Sequence, residues 1–257
     1  MNKKKDSNPP LPWLDESDLF PSIDHAWGPG TDAPGLLAAG GDLSAKRLLE
    51  AYRLGIFPWF SQDQPILWWS TDPRMVLKPS HFKLHRSLKK SLQSFIQTPG
   101  CELKIDHDFL NVIRSCSSSK RSGQRGTWIT PEMIQAYFTL HLQGHAHSVE
   151  TWINGEMVGG LYCVSIGHAV FGESMFSRVS NASKIALSAL VCFAKANHIE
   201  LIDCQQETEH LTSLGGAPIA REEFLKSISK AQLLPSPEWL FKPDYWQELK
   251  LNSRELV

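Results

Sequence analysis

The run Leu-Ile-Asp-Cys-Gln-Gln at 201–206 is the part of this chain richest in chemistry. It reads as a strand, on which Asp203 and Gln205, two residues apart, project to one side. An acid and an amide facing one cleft can orient a nucleophile by hydrogen bonds. The same pair is also what a polar strand end looks like. Glu173 lies in the apolar run Phe-Gly-Glu-Ser-Met-Phe-Ser (171–177). An unpaired carboxylate there would be costly, so a structural ion pair is the plain expectation. His145 and His147, two apart where a strand begins, read as structural histidines rather than metal ligands. There is no Gly-x-Ser-x-Gly elbow, HExxH helix, GxGxxG or P-loop. The residues Ser177 to Lys184, before and into a predicted long helix, lack the glycine-rich turn that cradles a CoA pyrophosphate. Small residues at 180–183 still leave amides for an anion.

Basic residues gather in two places: Lys83, Arg86, Lys89 and Lys90, and then Lys120, Arg121 and Arg125. A bare charge run is usually a solvated face, and Trp59 taken alone is a core side chain. The cysteines, Cys101, Cys116, Cys163, Cys192 and Cys204, are odd in number and show no two-residue gap. They are expected to be buried, reduced thiols of a cytosolic protein.

The elements that must position these groups follow from periodicity and punctuation. A helix starts at Asp42 or Ser44, carries Leu48, Leu49, Tyr52 and Leu54 on its apolar face, and stops at Gly55. ILWWSTDPRMVL alternates like strands, and a basic helix is expected within 81–98. A strand at 103–106 and a helix at 108–116 lead into a polar loop at 117–125. The next helix has Thr130 as its N-cap, Pro131 in the first turn, and Met133, Tyr137 and Leu140 on its apolar face. Asn154-Gly155 makes a hairpin of the following two strands, and Gly159-Gly160 marks a bulge or close approach. A third strand, a helix at about 181–197, the strand IELIDCQ and a short helix from about Arg221 complete the chain. Strand, strand, strand, helix, strand is the order of acetyltransferase-like (GNAT) folds. The expected class is therefore α+β. A small N-terminal α/β domain would precede a GNAT-like domain with a mixed, largely antiparallel sheet. Expected divisions are a flexible tail at 1–12, an N-terminal domain at 13–80 (extending to about 95 at most), and the GNAT-like domain at 81–257.

Composition supports a folded chain. Of 257 residues, 42% are hydrophobic and 21% charged, which excludes general disorder. Lys and Arg number 26 against 27 Asp and Glu, so any nucleic-acid contact must come from a local patch. The basic N-terminus has no apolar core, so no secretory leader is expected. The longest apolar run, about 185–196, is too short to span a bilayer.

Several runs together are distinctive: PGLLAAGGDLSAKRLLEAYRLGIFPWF, PILWWSTDPRMVL, GTWIT, GHAHSVE, VGGLY, FGESMFS, NASKIAL, LIDCQ and HLTSLGG. In this order, from about Phe20 to about Leu234, the chain resembles the leucyl/phenylalanyl-tRNA–protein transferases. One departure is Thr71, where the family usually has Pro. A slightly looser turn with no lost chemistry is expected there.

The resemblance implies a cytoplasmic enzyme with no metal, cofactor or CoA. It would move Leu or Phe, and Met more weakly, from aminoacyl-tRNA to the α-amino group of proteins beginning with Arg or Lys. The product would carry an N-terminal signal for proteolysis. The resemblance places Asp203 and Gln205 at the catalytic positions and Trp59 and Trp128 at the 3′-terminal adenosine. It lines the amino-acid pocket with Leu161, Glu173, Met175, Leu187 and Leu190, and makes the basic residues above tRNA-backbone contacts. Chemically, the donor is already an activated ester, and an α-amine with a pKa of about 7.7–8.0 needs only a weak base. A CoA-dependent N-acyltransferase and a non-catalytic RNA-binding module are the competing classes.

Overall fold

The computed structural model describes residues 7–119 and 128–251. The first 80 residues supply a four-stranded sheet: β1 (Trp13–Leu14), β2 (Leu36–Gly40), β3 (Phe57–Pro58) and β4 (Leu67–Trp69), in the order β1-β2-β4-β3. Helix α1 (Ala45–Arg53) packs against it. Of the two expected caps Ser44 serves, its hydroxyl accepting from Arg47 N at 3.2 Å. Of the expected tail, residues 1–6 lie outside the described residues. From Asn8 the chain is tied down: Asn8 Nδ2 donates to Asp32 and Pro12 O accepts from Ala39 N, both at 2.9 Å.

The larger sheet has seven strands: β5 (Arg74–Leu77), β6 (Cys101–Ile105), β7 (Ala146–Ile153), β8 (Glu156–Ile166), β9 (Ala169–Ser177), β10 (Ile202–Gln205) and β11 (Ala217–Ile219). Their order is β11-β5-β10-β9-β8-β7-β6, antiparallel everywhere except between β9 and β10. This is the α+β class expected, with a mixed and largely antiparallel sheet. β5 lies within the 13–80 segment, yet it pairs with β10 and β11 and so belongs to the larger sheet.

Helices α2 (Arg86–Gln97), α3 (Phe109–Ser118), α4 (Pro131–Leu142) and α5 (Ala182–Ala196) cover the sheet, and α6 (Glu209–Ser213) and α7 (Arg221–Ala231) follow β10. The Thr130 cap acts where it stands, accepting from Met133 N at 3.3 Å, and Asp108, expected as the first residue of its helix, is instead the cap of α3, accepting from Asn111 N at 3.2 Å. The basic helix begins only at Arg86, with His85 as its cap residue. Helix α6 and strand β11 are too short to leave a periodic signal in the sequence.

Gly159 faces Thr151 where the β7–β8 register slips, and a Cβ built on it would lie 2.5 Å from the Ala182 Cβ. Helix α5 can therefore start directly on the sheet. Its Leu187, Leu190 and Val191 are buried with Leu161 and Val170, and Trp239, Phe241 and Tyr245 of the C-terminal segment pack on the same cluster. Trp68 and Leu37 of the small sheet share one core with Tyr162 and Phe171 of the large one. Each such fully buried apolar side chain contributes about 1.5–3 kcal/mol, which locks the two sheets together.

Candidate active site

The parallel pair at the sheet's centre is brief. Ile202 faces Val170 and Asp203 faces Phe171, and no further β9–β10 partners follow. Beyond Asp203, strand β10 bulges: its register against β5 shifts between Asp203 and Gln205, and Gln205 takes φ +54°. A cleft of about 700 Å³ opens there. One wall is Phe57, Pro58 and Trp59 of the β3 segment, with Trp128 before α4. The floor is Leu161 of β8 and Glu173, Ser174 and Met175 of β9. Leu187 and Leu190 of α5 form the far side, and Cys204, Gln205, Thr208, Glu209 and His210 the rim.

All seven residues expected to bind substrate line this one cleft, and so does Gln205. Asp203 does not. Strand alternation predicts that Asp203 and Gln205 face the same side. The bulge adds a residue, breaks the two-residue period and turns Asp203 inward, where it is fully buried. Both of its oxygens meet Arg74: Nε donates to Oδ1 at 2.8 Å and Nη2 to Oδ2 at 2.7 Å. Oδ1 also accepts from Gln205 N at 3.0 Å, and Oδ2 from Gln205 Nε2 at 3.4 Å. Asp203 thus touches the cleft only through Gln205.

Glu173 is partly buried, and its partners correct the ion-pair expectation. The hydroxyl of Tyr52 in α1 donates to Oε1 at 2.7 Å and that of Tyr137 in α4 to Oε2 at 3.0 Å, and the two hydroxyl oxygens lie within hydrogen-bond distance of each other. Burial lifts the Glu173 pKa from 4.5 to about 7, with the two hydroxyls acting in the opposite direction. The apolar faces read for α1 and α4 hid this role, because a buried tyrosine spaces like any core residue. Thr71 is likewise more than a loosened turn: its Oγ1 donates to the Gln205 carbonyl at 3.2 Å, a bond that proline at this position could not make.

Other expected groups separate cleanly. Lys83, Arg86 and Lys90 are exposed and Lys89 partly so, beside α6, where Lys83 N bonds Leu214 O and His85 meets Ser213 O at 2.6 Å. Lys120, Arg121 and Arg125 lie outside the described residues. His147 pairs with Asp106 at 2.6 Å and stacks 4.0 Å from the Trp239 ring. Among the described residues no cluster of three or more His, Cys, Asp and Glu stands ready for a metal ion, and none of the five cysteines is in a disulfide. Among these residues, too, no helix is long and apolar enough to cross a membrane. Sequence reasoning missed Arg74, Tyr52, Tyr137 and His210. Arg74 stood inside the distinctive WWSTDPRMVL run, and that run was the only signal for it. His210 on the cleft rim has its pKa lowered by burial and then by Lys184 nearby.

Comparison with known proteins adds the family. Residues 76–229 match the leucyl/phenylalanyl-tRNA protein transferase model and residues 41–72 match the N-terminal domain model of the same enzymes. A leucyl/phenylalanyl-tRNA–protein transferase of a Polaromonas species is 55% identical over 93% of this chain and 94% of its own. One from Albidiferax ferrireducens is 56% identical over 94% and 95%. Among solved structures, a GCN5-related N-acetyltransferase from Kribbella flavida is similar at 10% identity and a TM-score of 0.32, covering 67% of this chain and 60% of its own. The fold assignment itself rests on the strand order and the short parallel β9–β10 pair. With both family models matched and more than half of its residues shared across nine-tenths of its length, the chain belongs to the leucyl/phenylalanyl-tRNA–protein transferase family.

Proposed function

We propose that this chain transfers Leu or Phe, and Met more weakly, from aminoacyl-tRNA to the α-amino group of proteins that begin with Arg or Lys, in the cytoplasm, marking the product for proteolysis. One observation carries the reading: two indoles, an apolar pocket and an amide side chain share a single cleft. Trp59 and Trp128 hold the terminal adenosine of the donor, since a base stacked on an aromatic ring is worth about 1–3 kcal/mol. Leu161, Met175, Leu187 and Leu190 receive the amino-acid side chain, with Glu173 at the pocket floor. An apolar pocket with a flexible methionine separates Leu, Phe and Met by only about 1–3 kcal/mol. Lys83, Arg86, Lys89 and Lys90 meet the backbone of the tRNA.

The amine nitrogen attacks the ester carbonyl carbon. A C–N bond forms, the C–O bond to the ribose breaks, and the proton lost by the amine balances the one gained by the leaving ribose oxygen. Gln205 aims the amine by accepting its hydrogen bond, and Asp203 acts behind it. Positioning of this kind supplies about 7–11 kcal/mol without a covalent nucleophile. At the start of α5 the Ser183 amide is already given to Ser177 Oγ at 3.1 Å, which favours an aminoacyl ester over a CoA thioester as donor.

The test uses radiolabelled Leu-tRNA with one acceptor beginning with Arg and one with Ala. Label is expected on the Arg protein alone and is abolished by RNase treatment of the donor. Equal labelling of both acceptors sinks the specificity. Heat on titrating acetyl-CoA into the protein favours the acyltransferase reading instead. Transfer that survives loss of both Asp203 and Gln205 removes those two residues from the catalytic role.

A further inference from the structure

We propose that Arg74 is a positioning residue for the transfer, setting which end of the Gln205 amide faces the cleft; this rests on the function proposed above. Arg74 is 0% exposed. Its guanidinium spends two donors on Asp203 and a third on Gly55 O at 3.1 Å, and its face lies 4.6 Å from the rings of both Phe57 and Phe224. A fork held by three hydrogen bonds and two rings has one orientation, and so has the carboxylate it grips.

The consequence reaches the cleft through hydrogen-bond polarity. A carboxylate paired with a guanidinium only accepts. The end of the Gln205 amide that faces Asp203 must therefore be its NH2, which leaves the amide oxygen for the cleft. That is the end able to accept from an attacking amine. Gln205 is fixed from two further directions: its backbone N–H is held by Asp203 and its carbonyl by Thr71. The titratable groups around the pair are Glu173 on β9 and Cys204 beside it, and neither can replace the lost cation. Without the guanidinium, the carboxylate loses the fork that fixes it, and the Gln205 amide loses a fixed partner for its NH2, so its oxygen is no longer held toward the cleft. Phe57, on the other face of Arg74, belongs to the wall that carries Trp59, so one side chain also registers the donor wall against Gln205.

The experiment measures kcat and the donor KM for Leu-tRNA with the full chain, wild type against Arg74→Met and Arg74→Lys, together with thermal midpoints. A side chain that misplaces the reacting groups by about 1 Å costs about 10²-fold in rate. Arg74→Met is expected to lose about that in kcat with donor KM within about three-fold of wild type, and Arg74→Lys, which keeps the charge and loses the fork, to recover part of it. If Arg74→Met does not fold, Arg74→Lys decides alone: a kcat equal to wild type overturns the proposal. Rate losses in both variants that follow the fall in thermal midpoint, or that appear in KM alone, also overturn it, since they report packing. A wild-type chain that transfers no Leu overturns the underlying function instead, and Arg74 falls with it.

Discussion

Glu173 is a carboxyl placed where its charge is poorly solvated, with the hydroxyls of Tyr52 and Tyr137 on its two oxygens. Its pKa of about 7 lies above the ordinary 4.5, so the folded protein binds the proton more tightly than the unfolded chain. The stability this contributes is complete below about pH 4.5 and is lost as the pH rises through about 7. Between pH 5 and pH 8 the wild type should therefore lose more melting temperature than Glu173→Gln does, as thermal denaturation will show. Parallel losses would take Glu173 out of the account. Trp59 makes a second residue-scale case. Its ring lies 5.4 Å from that of Trp69, whose Nε1 donates to Trp59 O at 2.7 Å, so the indole is held from behind and lines the cleft in front. Trp59→Ala should raise the donor KM by about 5–150-fold, the equivalent of about 1–3 kcal/mol of lost stacking, and leave kcat within a few-fold.

Helix α5 shows how an element depends on a residue it does not contain. It begins against Gly159 of β8, and Thr151 Oγ1 donates to Ala182 O at 2.9 Å across the same contact. Gly159→Ala sets a methyl against the Ala182 Cβ and the helix backbone, so either the helix start or the strand must move. The expected cost is about 1–3 kcal/mol in urea denaturation. Because Leu187 and Leu190 travel with α5, the same variant should also alter the relative rates of Leu and Phe transfer. A variant as stable as wild type with unchanged preference would show that the approach is not tight. Thr130→Ala, at the start of α4, is the milder counterpart. Loss of its cap on Met133 N should cost about 1 kcal/mol.

The whole molecule is nearly neutral, with a formal net charge of −1, so it has no global field to draw RNA in. Attraction must be local, and α2 places Arg86 and Lys90 in solvent near the rim helix α6. Replacing both with Gln should raise the donor KM and flatten its dependence on salt. On a logarithmic plot the slope should fall by about 0.9 for each duplex phosphate contact removed. A slope unchanged in the double variant would move the tRNA path elsewhere on the surface. At the same scale, the small and large sheets share a continuous core, and the cleft draws walls from both. The Tyr52–Glu173 bond between α1 and β9 ties the two parts together beside the cleft as well.

The chain's own order of residues sufficed for its α+β class, for the cap at Thr130 and for the Asn154-Gly155 hairpin, and the family motifs in it named seven residues that line the cleft. Each of those is either a local steric and hydrogen-bonding preference or a motif long enough to be distinctive. The inward turn of Asp203, the Arg74 fork and the two tyrosines on Glu173 came only with the tertiary structure. They join residues 129, 121 and 36 positions apart, as Arg74–Asp203, Tyr52–Glu173 and Tyr137–Glu173. Side-chain spacing along one strand cannot report a bulge, because a bulge is a misfit between two strands. A buried arginine or tyrosine likewise shows its partner only when distant segments have met.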